Sequence, residues 1–245
     1  MQYHSLKPDR LLETQRRLSQ RIEARFPDSG LSEVAEELTS IAQEAAVRAE
    51  QIRRPNFPLR AAIVLLLLGA LALGLWLAGS LQLKANLGEA TGLFDFVEKA
   101  LRAAVFLGAV ILFLITLEIR LKRRRALAAL HELRAIAHVV DMHQVAKDPE
   151  EIANRDRAGT EAPDQTTKTL EDLNRYLHYC SGMLAIISKI AALYVQEFPD
   201  APTVSAVDQI ESLCSGLSHK IWQKIMILDE FLDPQKPDRQ IRGPG

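Results

Sequence analysis

Two uncharged apolar segments constrain the fold of this chain more than any other feature. The first, AAIVLLLLGALALGLWLAG (61–79), would form a helix about 29 Å long, close to the roughly 30 Å hydrocarbon core of a bilayer. The second, AAVFLGAVILFLITL (103–117), is shorter, but apolar residues extend it as far as Leu121. Because both segments are apolar on every side, we predict a hairpin of two transmembrane helices, at about 61–81 and 101–119.

Basic residues flank this hairpin on one side only. Three arginines lie just before the first span, and RLKRRR (120–125) follows the second. The connection, about 82–94, contains only one basic residue, Lys84. The positive-inside rule therefore predicts that both termini are cytoplasmic, and the lack of an N-terminal signal sequence favours the cytoplasmic (inner) membrane. The basic cluster expected at the lipid headgroups consists of Arg120, Lys122, Arg123, Arg124 and Arg125.

The remaining residues follow helical periodicity and contain no strand pattern of useful length. The predicted fold class is therefore all-α: an integral membrane protein with a two-helix transmembrane hairpin and cytoplasmic helical bundle or coiled-coil regions. Periodicity is unbroken from about Phe94 to Lys147, which predicts one long helix. The predicted pieces are an N-terminal helical hairpin (1–54), a juxtamembrane linker (55–60), the transmembrane hairpin (61–121), a stalk (122–147), a flexible loop (148–168), an antiparallel helical pair (169–233) and a disordered tail (234–245).

The helical pair carries the clearest core pattern. Apolar residues recur at alternating steps of four and three, as in a heptad seam. Both cysteines fall on these stripes and are predicted to be buried small hydrophobes. The predicted seam residues are Leu173, Leu177, Cys180, Leu184, Ile187, Ala191, Tyr194 and Phe198 in the first helix, and Val207, Ile210, Cys214, Leu217, Ile221, Ile225, Leu228 and Leu232 in the second.

Small residues recur every four positions in both spans. Ala70, Gly74 and Ala78 form one row, and Ala104 and Gly108 form another. Such rows let helix backbones approach closely. Two interpretations stay open at this point: the hairpin packs on itself through these rows, or copies of the protein pack together through them.

The segment LHELRAIAHVVDMHQ (130–144) carries a polar stripe along the predicted stalk. At 100° per residue, four polar side chains fall within an arc of about 80°. The stripe is a salt-bridged solvated face, a pH-sensitive seam against another helix, or a metal or catalytic site. The last is disfavoured because no second half of a site is present. We therefore expect any function of the stripe to be protein interaction. The stripe consists of His131, Arg134, His138 and Asp141.

These observations favour binding over chemistry. No nucleotide-binding, nucleophile-elbow or zinc motif occurs, and a net charge of −1 argues against a nucleic-acid partner. We expect a non-enzymatic protein without cofactor or metal. Its partners would be the bilayer, copies of itself and a cytoplasmic protein. The alternatives are an oligomeric pore or ion-conducting protein and, third, a membrane-tethered enzyme that uses the polar stripe.

Overall fold

The computed structural model of the protein describes residues 5–54, 57–82, 90–145, 147, 169–196 and 198–232. These residues contain six α-helices and no strand, which confirms the all-α prediction. The predicted loop 148–168, the predicted tail 234–245 and most of the connection between the apolar helices lie outside the described residues. The helices are α1 (Pro8–Arg25), α2 (Gly30–Arg53), α3 (Phe57–Gln82), α4 (Ala90–Val145), α5 (Leu170–Gln196) and α6 (Ala201–Leu232).

The helices form two compact units, and the boundary between them lies inside α4. One unit, here called the helical bundle, comprises Met1–Arg53 and Ala126–Gly245. The other, here called the apolar unit, comprises Arg54–Arg125. α4 is one helix of 56 residues, as the unbroken periodicity predicts. The N-terminal hairpin, the stalk and the C-terminal pair, which the sequence suggests as separate pieces, all belong to the bundle.

A short turn joins α1 to α2. Asp28 has a φ of 52°, a left-handed conformation that Asp adopts more readily than most residues. The N–H of Ser32 then donates to Ser29 Oγ (3.2 Å), and the N–H of Ser29 donates to Ser32 Oγ (3.1 Å). These reciprocal bonds satisfy donors that the start of α2 leaves free, as a capping box does.

α5 is the central helix of the bundle because it packs against α1, α2 and α6. Its predicted seam is buried from Leu173 to Tyr194, and Phe198, just beyond the helix, is half-buried. Burial also extends outside that seam, so α5 is covered on more than one side. The additional buried side chains are Tyr176, Met183, Ile186, Ile190 and Leu193.

The neighbouring helices each bury one stripe against this centre. On α6 the predicted stripe is buried from Val207 to Leu228, whereas Leu232, the last residue of the helix, is 40% exposed. The bundle part of α4 also has one buried side, and its members are Ala126, Ala129, Leu130, Leu133, Ile136, Ala137 and Val140.

The apolar unit has the opposite character. Its described large side chains are mostly exposed, including Trp76 at 68% and Phe106 at 73%. Exposed apolar surface on this scale is typical of a segment that contacts lipid or another protein.

Two helices are long and apolar enough to cross a membrane: α4 from Leu101 onward, and α5. Their burial separates them, because half of the apolar window in α5 is buried and none of the window in α4 is. α5 thus has the composition of a span and the surroundings of a core helix. The first predicted span corresponds to α3, whose described apolar part, Arg60–Trp76, is shorter.

Candidate interaction surfaces

The predicted polar stripe lies on a solvent-facing side of α4. His131, Arg134 and His138 are exposed, and Asp141 is half-buried. Asp141 accepts a hydrogen bond of 2.6 Å from Gln144 Nε2. Among the described residues, no ion pair joins Arg134 to Asp141 or to His138, so the salt-bridged row considered for this face is not formed. The stripe therefore offers separate side chains to solvent without bringing them together as a site.

A groove of about 690 Å³ runs between α2 and the bundle part of α4. Its floor is aliphatic, and glutamates line its edges. None of the four stripe residues lines it, because the residues that α4 contributes lie on a different side of that helix. The floor contains Val34, Ile41, Ala135, Ile136 and Val139, and the acidic edges contain Glu33, Glu37, Glu44 and Glu132.

Arg48 spans one end of the groove and links its two helices. Its guanidinium donates to Glu44 Oε2 (2.5 Å) in α2 and to Glu132 Oε2 (2.7 Å) in α4. The hydrogen bond to Glu132 is the main reason that the pKa of Arg48 is raised above its ordinary value. The side chains of Arg48 and Glu132 are 35% and 48% exposed, so solvent limits this pair to about 0–1 kcal/mol of stability. Its main effect is to offset one of the two negative charges at this end, which keeps a net charge of −1.

The other end of the groove keeps its negative charge. Glu33 and Glu37 are exposed, one turn apart on α2, and no described cation pairs with either. Glu33 lies in the first turn, where the helix dipole stabilises an acid, but Glu37 lies beyond it. Four glutamates and one arginine give the lining a net charge of −3, concentrated around these two residues.

The sequence contains a signal for half of this groove. Glu33, Glu37 and Glu44 are separated by four and seven residues, so they share one side of α2 beside its apolar stripe. Periodicity does not reveal which helix lies opposite that side. The contribution of α4, and therefore the groove itself, was missed for this reason.

Basic and aromatic side chains close the C-terminal end of α4. Lys224 Nζ donates to the backbone oxygens of Gln144 (2.8 Å) and Lys147 (3.1 Å), and the Tyr176 hydroxyl donates to that of His143 (3.4 Å). The ammonium group of Lys147 lies 4.7 Å from the centre of the Tyr176 ring. A helix end leaves such carbonyls without partners, and its dipole favours cations there. These contacts therefore have a structural role.

Both cysteines are free and buried, as predicted. Burial raises the pKa of Cys180 to about 12 and that of Cys214 to about 11, so both thiols are protonated at neutral pH and are poor nucleophiles. Across the described ranges, no three His, Cys, Asp or Glu side chains converge to hold a metal ion.

The small-residue rows of the apolar unit are only partly exposed where the structure describes them: Gly74, Ala104 and Gly108 are exposed, and Ala70 is half-buried. A Cβ added at Gly74 or at Gly108 would meet no atom within 4 Å. No described atom therefore occupies the space directly beside these two glycines. The side chain of Ala78 lies outside the described residues.

The predicted basic cluster lies within α4, directly after the apolar part of that helix. Arg120, Arg124 and Arg125 are exposed. Lys122 Nζ lies 3.1 Å from Glu118 Oε1, and both of these side chains are largely buried. The three exposed arginines are thus the members that would meet an anionic surface.

Comparison with known proteins assigns no family to these surfaces. No protein-family model, curated protein or solved structure matches this chain.

Proposed function

We propose that this protein is a non-enzymatic membrane protein whose helical bundle holds copies of itself, or a soluble partner, at the cytoplasmic side of a bilayer. The observation that carries the proposal is the contrast in burial between the two units. The bundle covers its apolar stripes, whereas the apolar unit leaves Trp76 and Phe106 largely exposed. A helix satisfies its own backbone hydrogen bonds, so a long helix with unburied apolar side chains is suited to lipid.

The charge distribution supports a cytoplasmic bundle in the inner membrane. Arg60 lies at the start of α3, and exposed Arg120, Arg124 and Arg125 lie where the apolar part of α4 ends. Cytoplasmic flanks of membrane spans carry such an excess, and each basic residue near an anionic surface contributes about 1 kcal/mol of attraction. Both ends of the hairpin would then face the cytoplasm.

Self-association is supported by the open glycines of the apolar unit. Gly74 and Gly108 allow close backbone approach, and no described atom occupies the space beside them. We propose that copies pack through the small-residue rows, while the bundle presents its surfaces to the cytoplasm.

The same open rows favour a second candidate function, a pore formed by several hairpins. A water path needs polar groups or a hydrophobic constriction that gates by dewetting. The hydroxyl of Thr116 is already used, since it donates to the backbone oxygen of Leu112 (2.7 Å). Ion flux from liposomes that carry the purified protein would support this candidate, and tight liposomes at high protein occupancy would argue against it.

Membrane integration can be tested by alkaline extraction of membranes that carry the full chain. We expect the protein to stay with the lipid pellet. Leu71→Arg and Leu112→Arg replace exposed side chains of α3 and α4, and each should impair insertion, because arginine at the centre of a span costs about 2.5–3.5 kcal/mol. Gln20→Arg, at an exposed position of α1, is the matched control and should behave as the unmodified chain does.

Topology can be read with an impermeant maleimide, because the two native thiols are buried. An Asn86→Cys variant should label from outside intact cells, and a Ser215→Cys variant only after the membrane is opened. Release of the unmodified protein by alkali, or the reverse labelling pattern, would contradict the proposed arrangement.

A further inference from the structure

We propose that the groove between α2 and α4 is the docking site for a basic amphipathic helix of a soluble partner protein. This inference rests on the proposed function and deepens it, since it names the surface of the bundle and the chemistry of the partner. The groove combines an aliphatic floor with acidic edges.

The dimensions of the groove suit a helix. On α2 it extends from Glu33 to Arg48, which at 1.5 Å per residue is about 22 Å, or four helical turns. Two neighbouring helices present a channel into which the apolar side of a third can settle, with anchors at i, i+3 or i+4, and i+7. In the floor, Ile41 and Val139 are only half-buried within the bundle, so anchor side chains of the partner can pack against them.

The charge of the groove determines the sign of the charge on the partner helix and the direction in which that helix lies. The lining has a net charge of −3 and repels anionic lipid headgroups and nucleic acids, which leaves a basic protein segment as the occupant. Glu33 and Glu37 hold two of the three net negative charges, while Arg48 reduces the charge of the opposite end to −1. The lysines or arginines of the partner are therefore expected near the start of α2.

Neither α1 nor the basic cluster of a second copy supplies the required segment. α1 is arginine-rich, but its apolar stripe, with Leu18 at 6% and Ile22 at 0% exposure, already packs inside the bundle. The basic cluster 120–125 is assigned above to the lipid surface. The occupant is thus a different protein with an unburied apolar stripe.

The test uses the full chain in nanodiscs of zwitterionic lipid, with empty nanodiscs as the background. The probe is a labelled helical peptide of about 15 residues, with leucines at i, i+4, i+7 and i+11 and lysines on the flanks. Its charge-mirrored twin has glutamate in place of lysine, and a scrambled version keeps the composition without the stripe. We expect the lysine peptide alone to bind, with an affinity that falls as salt is added.

Two variants assign that binding to the groove. Glu33→Gln with Glu37→Gln should raise the Kd roughly 5- to 30-fold, the effect of two partly exposed ion pairs. Ala135→Trp fills the groove from an exposed position of α4 and should weaken binding at least about tenfold, since it blocks the aliphatic floor. Glu23→Gln with Glu211→Gln removes two exposed acids outside the groove and should stay within about twofold. Unfolding temperatures of all variants confirm that the bundle is intact.

Equal binding of the glutamate or scrambled peptide, no binding of the lysine peptide, or unchanged affinity in both groove variants would overturn the proposal. Larger assemblies of a variant that form only when the peptide is added would instead indicate that the peptide bridges copies of the chain. That result would also overturn the proposal. The outcome is separate from membrane integration, because alkaline extraction measures the apolar unit and peptide binding measures the groove.

Discussion

Gly30 lies where the first turn of α2 meets the end of α4. A Cβ added there would be 2.6 Å from His143 Cε1, well inside van der Waals contact. α2 begins at this residue, so the missing side chain lets its first turn pack against the imidazole. The sequence contains no sign of this contact, because the two residues are far apart in the chain and no periodic pattern joins them.

We expect Gly30→Ala and His143→Ala to be coupled. In the native background the new methyl group must displace the His143 ring, whereas in the His143→Ala background the three atoms nearest to it are gone. The alanine at position 30 should therefore be more favourable in the second background by about 0.5–3 kcal/mol. Urea unfolding of the four members of the cycle measures this difference. Additive effects would show that the ring moves aside without cost.

Alkaline pH should destabilise the bundle through its buried thiols. Folding raises the pKa of Cys180 from 9.0 to about 12 and that of Cys214 from 9.0 to about 11. Between pH 9 and these values the unfolded chain loses thiol protons that the folded chain keeps, so the free energy of unfolding falls as the pH rises. Urea unfolding at pH 8 and at pH 10.5 measures the loss.

A Cys180→Ala, Cys214→Ala double variant is the control for this loss. Its stability should fall less between the two pH values. Some loss remains, because burial also raises the pKa of Tyr194 from 10.0 to about 12. A thiol reagent at pH 8 should modify the native protein much more slowly than the unfolded one. Rapid labelling of the folded chain would contradict the assigned burial.

At the scale of whole helices, sequence periodicity predicted which sides are buried. The stripes of α5 and α6 point inward along nearly their full lengths, and only Leu232 departs clearly from the pattern. Periodicity does not state which helices meet, so the groove between α2 and α4 was not predicted. The polar stripe was identified from its spacing, but the structure separates its members instead of joining them.

We expect Lys224→Met to weaken the packing of α6 against the end of α4. The methionine keeps an apolar stem but loses the ammonium group that binds the oxygens of Gln144 and Lys147. Charged hydrogen bonds of this kind contribute about 1.5–3 kcal/mol, so a loss of that order is expected in urea unfolding. Lys220→Met, at an exposed position of the same helix, should change stability by no more than about 0.5 kcal/mol. Equal effects of the two substitutions on stability would contradict the capping role of Lys224.

At the scale of the whole molecule, one sequence encodes two units that differ in surface character. The helical bundle covers its apolar stripes, and the apolar unit leaves most of its described large apolar side chains exposed. Composition and charge predicted both units, because the all-α class and the two apolar segments can be read directly from the residues. How the pieces of the helical bundle combine was not predicted, since the N-terminal hairpin, the stalk and the C-terminal pair are distant in sequence. Their union depends on α5, whose burial on more than one side requires α1, α2 and α6 together.

Assembly through the small-residue rows predicts a change in mass. Gly74→Leu and Gly108→Leu place side chains into space that is open in the protomer, so its own fold should tolerate them. Close approach of copies should not tolerate these side chains, so light scattering with the detergent subtracted should report a smaller assembly. Gly69→Leu fills equally open space outside the rows and is the control. An unchanged mass in all three variants would place the contacts between copies elsewhere.

The hydropathy of α5 has a consequence for biosynthesis. During translation, α5 leaves the ribosome after the two apolar helices and before α6, the helix that covers much of its surface. If α3 and α4 insert into the membrane as proposed, the insertion machinery then meets α5, which passes the same test of length and composition as α4 does from Leu101 onward. α1 and α2 are already synthesised and can shield α5 in the interval, so the N-terminal hairpin would act as an intramolecular chaperone. A chain that ends before Ala201 should consequently be prone to misinsertion or aggregation.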